Sequence, residues 1–239
     1  MLIDYPKLDD SLNNMKVIGV IRSIGERTED FSKFLLEKQV DEIYLVKNVK
    51  PMVNMTLMCL KIGVNSKADY MITCDSDVFI LPNMVNFMVG EIKKHKRPLI
   101  TGHTKSKFLG KRQGGIRIWN VSNMKEMINL LEKNDDFDKY RPEAYIHSKI
   151  KGLLINDVTS YHEYEQYYKD IYEKFINQSI KTKSKSSYIK GFKKHKDIDF
   201  RVAYHGYFDK EKDFRKSFPD LVEKDMLNIS EIKNKYLKL

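Results

Sequence analysis

The stretch Ala68 to Pro82, ADYMITCDSDVFILP, constrains the fold of this chain more than any other. An apolar run, Tyr70 to Thr73, leads into Asp75-Ser76-Asp77, and a second apolar run follows. β-prone residues that end in polar ones read as a buried parallel strand. Ligands of open α/β sheets bind outside the carboxyl ends of strands, which is where Asp75 and Asp77 fall. Two carboxylates held side by side repel each other, and a divalent cation removes that conflict. Hard oxygen ligands suit magnesium or manganese, and magnesium is commonly held by one or two carboxylates plus substrate phosphates. Two readings follow for Asp75 and Asp77: a metal–diphosphate clamp, or a polar turn that closes a strand.

The flanking segments repeat one pattern. Met15 to Arg22 reads as a first strand, followed by the loop Ser23 to Arg27. Thr28 caps a helix with Phe31, Phe34 and Leu35 on its apolar face. Asp41 to Val46 is a second strand, and Pro51 opens a helix that leads to the central strand. This β-α-β-α-β order predicts an α/β fold with a mostly parallel sheet covered by helices on both faces. Beyond the carboxylates, Pro82 starts a helix to about His95, and Pro98 to Thr101 is a short strand. Thr104 to Gly115 carries four basic residues and no acid, and reads as a mobile loop. Ile116 to Asn120 is a strand, and Ser122 caps the next helix. Pro142 starts a short helix, Leu153 to Val158 is the last strand, and a tyrosine-rich helix follows. The division expected is a lead-in over 1–14, one α/β domain over 15–180, and a basic, helical extension over 181–239.

At 239 residues with 41% hydrophobic content, the chain can bury a sizeable core, so global disorder is excluded. Cys59 and Cys74 lack metal-type spacing and read as buried thiols. The N-terminus is acidic without an apolar core segment. The longest apolar stretch, Val78 to Val89, is broken by Pro82, Asn83 and Asn86 and is too short to span a bilayer. The expectation is a soluble, cytoplasmic protein. A net charge of +10 favours anionic partners. Seven lysines and no acid lie between Lys181 and Lys196, which marks a boundary.

In this order the motifs resemble the nucleotide-sugar glycosyltransferases of the GT-A fold. The resemblance is carried by VIGVIRSIGERT at the N-terminus, by Asp75-Ser76-Asp77, by Gly114-Gly115-Ile116-Arg117-Ile118-Trp119, and by Arg141-Pro142-Glu143 followed by Gly152, a strand and His162. It covers roughly residues 15–165, and RSIGERT also looks like phage-type members. It implies that Asp75, Asp77 and His162 hold manganese or magnesium. It implies that Arg22, Ser23, Glu26, Arg27 and Ser76 meet the donor nucleotide, taken as a UDP-sugar. Asn48 stands where many members carry an acid that holds the base. Glu143 matches the acceptor's base in inverting members, with Ala144 where many have a second acid. Asp135, Asp136 and Asp138 are fallback bases.

The reaction implied is hexosyl transfer from a nucleoside diphosphate sugar to an acceptor hydroxyl. Lys105, Lys107, Lys111 and Arg112, with Trp119, are candidates for an anionic acceptor. A hydroxymethylated pyrimidine in DNA is one such acceptor and a glycan another. Lys93, Lys94, Lys96 and Arg97 form a second basic cluster that also reads as a solvated face. Two competing classes remain. A metal-dependent nucleotidyltransferase would carry a glycine- and lysine-rich triphosphate loop, whereas RSIGERT has one glycine and no lysine. A non-catalytic nucleic-acid-binding protein would leave the strand-end carboxylates without a task.

Overall fold

Residues 15–134, 141–181, 186–209, 212–225, 228–232 and 234–235 are described by a computed structural model. Contacts divide the chain between Tyr164 and Glu165 into two compact units, 1–164 with 233–239, and 165–232. In the first unit, chain order runs β1 (Val17–Ser23), α1 (Glu29–Glu37), β2 (Glu42–Lys47), α2 (Met52–Asn65), β3 (Tyr70–Asp75) and β4 (Val78–Ile80). It continues with α3 (Met84–His95), β5 (Leu99–Ser106), β6 (Gly110–Asn120), α4 (Met124–Glu132), α5 (Pro142–Lys149) and β7 (Leu153–His162).

One seven-stranded sheet has the order β2-β1-β3-β6-β5-β7-β4. The expectation of a mostly parallel sheet is corrected. β1 pairs in parallel with β2 and β3, and β5 with β7, but the β3–β6, β5–β6 and β4–β7 pairs are antiparallel. The reason lies in residues 104–115, read from sequence as a loop. They form the end of β5, a tight turn and the start of β6, so a hairpin replaces the crossover a parallel strand requires. A register shift beside Gly102 completes the hairpin. Gly115 serves it with φ +94, and an added Cβ there would lie 2.9 Å from Ser160 Oγ.

Side chains alternate across the sheet, and both faces are covered. On one, Ile18, Val20, Met71 and Trp119 pack against Met55, Cys59 and Leu60 of α2, Met124 and Met127 of α4, and Ile146 of α5. On the other, α1 comes so close to β1 that a Cβ at Gly19 would lie 2.7 Å from Leu36. Phe31 of α1 meets Phe79 of β4 edge to face, with ring centroids 4.7 Å apart.

The second unit is helical, with α6 (Tyr168–Lys181), α7 (Ser186–Lys190) and α8 (Ile198–Phe208). Its interior is aromatic, and the buried Asp199 carboxylate is held by Lys224 at 2.7 Å. Among the described residues, no helix is long and apolar enough to cross a membrane.

Candidate functional site

Where β1 and β3 end, the apolar layer gives way to a charged one. Arg22 and Asp75 are register partners on these adjacent strands, so alternation puts both side chains on the face that α2 and α5 cover. The Arg22 guanidinium donates to Asp75 Oδ1 at 2.8 Å and, through its other terminal nitrogen, to Glu143 Oε1. Burial opposes the Arg22 charge, but Asp75, with smaller contributions from Cys59 and Cys74, outweighs it, and the group is held above its ordinary range. Arg117 enters from β6, where it pairs with Thr73 and Thr101, and its Nη1 lies 3.8 Å from the same Glu143 oxygen.

The turn between the two aspartates is clamped on all sides. Ser76 N–H donates to the Arg22 carbonyl at 2.9 Å. Its own carbonyl accepts from Thr28 Oγ1 at 2.8 Å and Ser32 Oγ at 2.6 Å, both from the start of α1. Its hydroxyl donates to Glu26 Oε2 at 2.5 Å. The same Glu26 oxygen accepts from Ile24 N–H at 2.8 Å and Ser23 Oγ at 3.1 Å. Glu26, Ser23 and Ser76 thus fix the loop after β1, whose exposed tip is Ile24. Gly25 allows that tip with φ +97.

Asp77 follows this turn and is buried. The antiparallel pairing of β4 with β7 sets Val78 opposite His162, and this brings His162 Nε2 to 3.0 Å from Asp77 Oδ2. The strand-end pair therefore separates: Asp77 joins His162, and Asp75 joins Arg22. Asp75 remains 39% exposed at its side chain. Among the described residues, no group of three or more His, Cys, Asp and Glu side chains is arranged around one point. Asp77 and His162 nevertheless offer one oxygen and one nitrogen donor close together, a set that fits manganese or magnesium completed by phosphate oxygens.

Other expected residues lie further out. Asn48 ends β2 in a left-handed conformation and donates its N–H to the Ser23 carbonyl at 2.8 Å. Arg27 is half-buried on the β1–α1 loop. Lys107 supplies a backbone N–H to the His162 carbonyl at 3.0 Å. Lys105 and Lys111 face each other across the hairpin. Lys111 Nζ donates to Asn156 at 2.6 Å, and Lys105 Nζ lies 5.9 Å from the Tyr161 ring centre.

Two expectations change. Trp119 is 1% exposed and donates from Nε1 to Thr73 Oγ1 at 2.8 Å; a core indole cannot receive an acceptor. Glu143 is buried with Oε1 committed to Arg22, so it holds the arginines instead of presenting that oxygen to an acceptor hydroxyl. Asp135, Asp136 and Asp138 lie outside the described residues.

Two residues of this region escaped sequence reasoning. Arg117 shares its strand face with Trp119, and an inward arginine in a strand covered on both sides was a usable signal. Glu163 is fully buried with φ +71, accepts from the Ser106 hydroxyl and lies 3.5 Å from Arg112 Nη1. It fastens the hairpin to the end of β7, a long-range contact that local sequence does not encode.

No protein-family model matches the chain, and no curated protein sequence matches it. Solved structures similar to it include 4-diphosphocytidyl-2C-methyl-D-erythritol synthase from Anaerococcus prevotii, at 10% identity and TM-score 0.48, covering 63% of this chain and 90% of that one. A glycosyltransferase involved in the glycosylation of the major capsid of PBCV-1 has 10% identity and TM-score 0.43, covering 62% and 93%. CMP:2-keto-3-deoxy-manno-octonic acid synthetase complexed with CTP has 10% identity and TM-score 0.44, covering 61% and 91%. Likenesses at these scores decide no function for this chain.

Proposed function

We propose that the chain is a metal-dependent glycosyltransferase that moves a hexosyl group from a nucleoside diphosphate sugar, a UDP-sugar as first choice, to an acceptor hydroxyl. The observation that carries the reading is the Asp77–His162 pair at 3.0 Å, fixed to a rigid turn at the carboxyl end of β3. A cation held by Asp77 and His162 would supply charge stabilisation for the leaving diphosphate. Around it the chain's own groups have separate tasks. Ser76, Thr28 and Ser32 keep the turn from yielding when charge shifts. Arg22, neutralised by Asp75 and Glu143, anchors the strand ends. The exposed loop tip at Ile24 and Gly25, with Arg27 and Asn48 beside it in sequence or hydrogen bonding, is where the donor's nucleoside is placed.

The nucleotidyltransferase reading ranks second for a structural reason. A triphosphate cradled after β1 needs backbone N–H groups open to it. Here the Glu26 carboxylate takes the Ile24 N–H, and Ser23 Oγ accepts from Gly25 N–H at 3.0 Å. Those two N–H groups are therefore already taken within the loop.

For the acceptor we propose an anionic molecule on the basic hairpin, with Lys105, Lys107, Lys111 and Arg112 as contacts and hydroxymethylated DNA as the leading case. The test is release of nucleoside diphosphate from a panel of sugar donors, with manganese, magnesium or chelator. Metal-dependent release of UDP supports the reading. Release of pyrophosphate from nucleoside triphosphates, with sugar nucleotides untouched, would overturn it in favour of nucleotidyl transfer.

A further inference from the structure

Two arginines and two carboxylates meet in the charged layer. Arg22 is saturated at both terminal nitrogens by Asp75 and Glu143, although its Nε has no hydrogen-bond partner among the described residues. Arg117 is different. Its side chain is 17% exposed, and the acid it pairs with among the described residues, Glu143, lies at 3.8 Å, beyond hydrogen-bond distance. Burial, and after it the charge of Arg22, push the Arg117 guanidinium down to about 10; Asp75 opposes this and Arg141 adds to it.

A guanidinium that makes no hydrogen bond among the described residues and keeps some contact with solvent has its donors open to a ligand. The field there favours an anion: at Arg117 the positive charge of Arg22 outweighs the negative charge of Asp75. Glu143 Oε1 is hydrogen-bonded to Arg22 and stays 3.8 Å from Arg117 Nη1. Its place between them sets Arg117 with its donor fork free of the sheet's own acceptors. A planar fork of this kind matches the paired oxygens of a phosphate. Gly114, at φ +100, stands beside this fork: a Cβ there would lie 3.6 Å from Arg117 Nη2, in ordinary contact.

We propose that Arg117 binds a phosphate group of the substrate, with Glu143 as the residue that positions it. The inference rests on the transferase reading above only for the source of that phosphate, the donor's diphosphate or the acceptor. Binding itself does not require the cation.

The test is calorimetric titration of the full chain with pyrophosphate in chelator. The native chain is expected to bind, and Arg117→Met, shown folded by circular dichroism, to bind about ten- to hundredfold more weakly, as loss of a charge-assisted pair dictates. Unchanged affinity in Arg117→Met overturns the proposal. Should Arg117→Met not fold, phenylglyoxal labelling of the native chain replaces it. Pyrophosphate is expected to slow modification of Arg117, and an unaltered rate overturns the proposal. Repeating the titration with the chain saturated in UDP assigns the source: competition points to the donor, and independent binding to the acceptor. Failure of every sugar donor in the release assay would remove the transferase reading and leave the pyrophosphate result standing.

Discussion

His162 Nε2 lies 3.0 Å from Asp77 Oδ2, although 85 positions separate the two residues in sequence. The contact exists because β4 pairs antiparallel with β7 and sets Val78 against His162. If this pair holds the cation, Asp77→Asn lowers metal-dependent donor cleavage by about 10²–10³-fold, the size of one lost electrostatic stabiliser. His162→Ala lowers it less and shifts the manganese concentration giving half-maximal rate upward. Both variants retain the native circular dichroism spectrum. Full activity of Asp77→Asn in chelator would sink the cation site.

Glu143 predicts stability instead of proton transfer. Removing it strips one partner from a buried guanidinium, which costs about 3–5 kcal/mol when no partner remains. Asp75 still holds Arg22 at 2.8 Å, so Glu143→Ala is expected at the low end, about 3 kcal/mol, by urea unfolding. Glu143→Gln keeps a carbonyl acceptor and loses less. Pairing Glu143→Leu with Arg22→Met removes both charges and recovers stability relative to Glu143→Leu alone. If Glu143→Gln destroys turnover but leaves stability and pyrophosphate affinity untouched, the base assignment returns.

How far the sequence was legible follows from what each residue type reports. The β1 and β3 strands announce themselves through apolar runs, because burial on two faces leaves little choice of residue; β2 shows through its β-prone residues and α2 through Pro51. The strand-end position of Asp75 follows from the same logic. The hairpin of β5 and β6 was hidden, because Lys105 to Gly115 is polar on its exposed face and Gly114-Gly115 reads as a break. In the fold those glycines form the irregular stretch that lets Gly115 approach Ser160. Arg117 was overlooked for another reason: inside Ile116 to Trp119 a single arginine looks like an ordinary solvent-facing residue, although the coverage expected on both sheet faces makes it an inward one.

The two thiols give a pH dependence. Burial pushes Cys59 up to about 11 and Cys74 up to about 12. An unfolded cysteine ionises near about 8.5. Between those values the unfolded chain has released protons that the folded chain retains, so stability falls as pH rises. Arg117, pushed down to about 10, acts with the opposite sign, but only above that pH. The urea midpoint is therefore expected to drop from pH 7.5 to pH 9.5, and Cys59→Ala with Cys74→Ala to flatten the drop. Ellman's reagent should react with neither thiol before unfolding. Rapid labelling of either in the native chain contradicts the burial argument.

Lys105 and Lys111 stand opposite each other on adjacent strands, where like charges are destabilising. Lys111 is eased by Asn156 at 2.6 Å and Lys105 by the Tyr161 ring, and both remain exposed. The acceptor proposed above is an anion, and these two ammonium groups facing solvent are its proposed contacts. If that anion is duplex DNA, each phosphate contact contributes close to one unit to the dependence of log K on log salt. Replacing both lysines by glutamine should then reduce the slope by about two and weaken binding equally on all sequences. Retention of the native chain and the double variant on a duplex-DNA column, eluted by a sodium chloride gradient, measures this. Should the native chain pass unretained at low salt, DNA is excluded as acceptor and the lysine pair must serve a smaller anion. In that case the double variant loses acceptor affinity while metal-dependent donor cleavage at Asp77 and His162 continues unchanged.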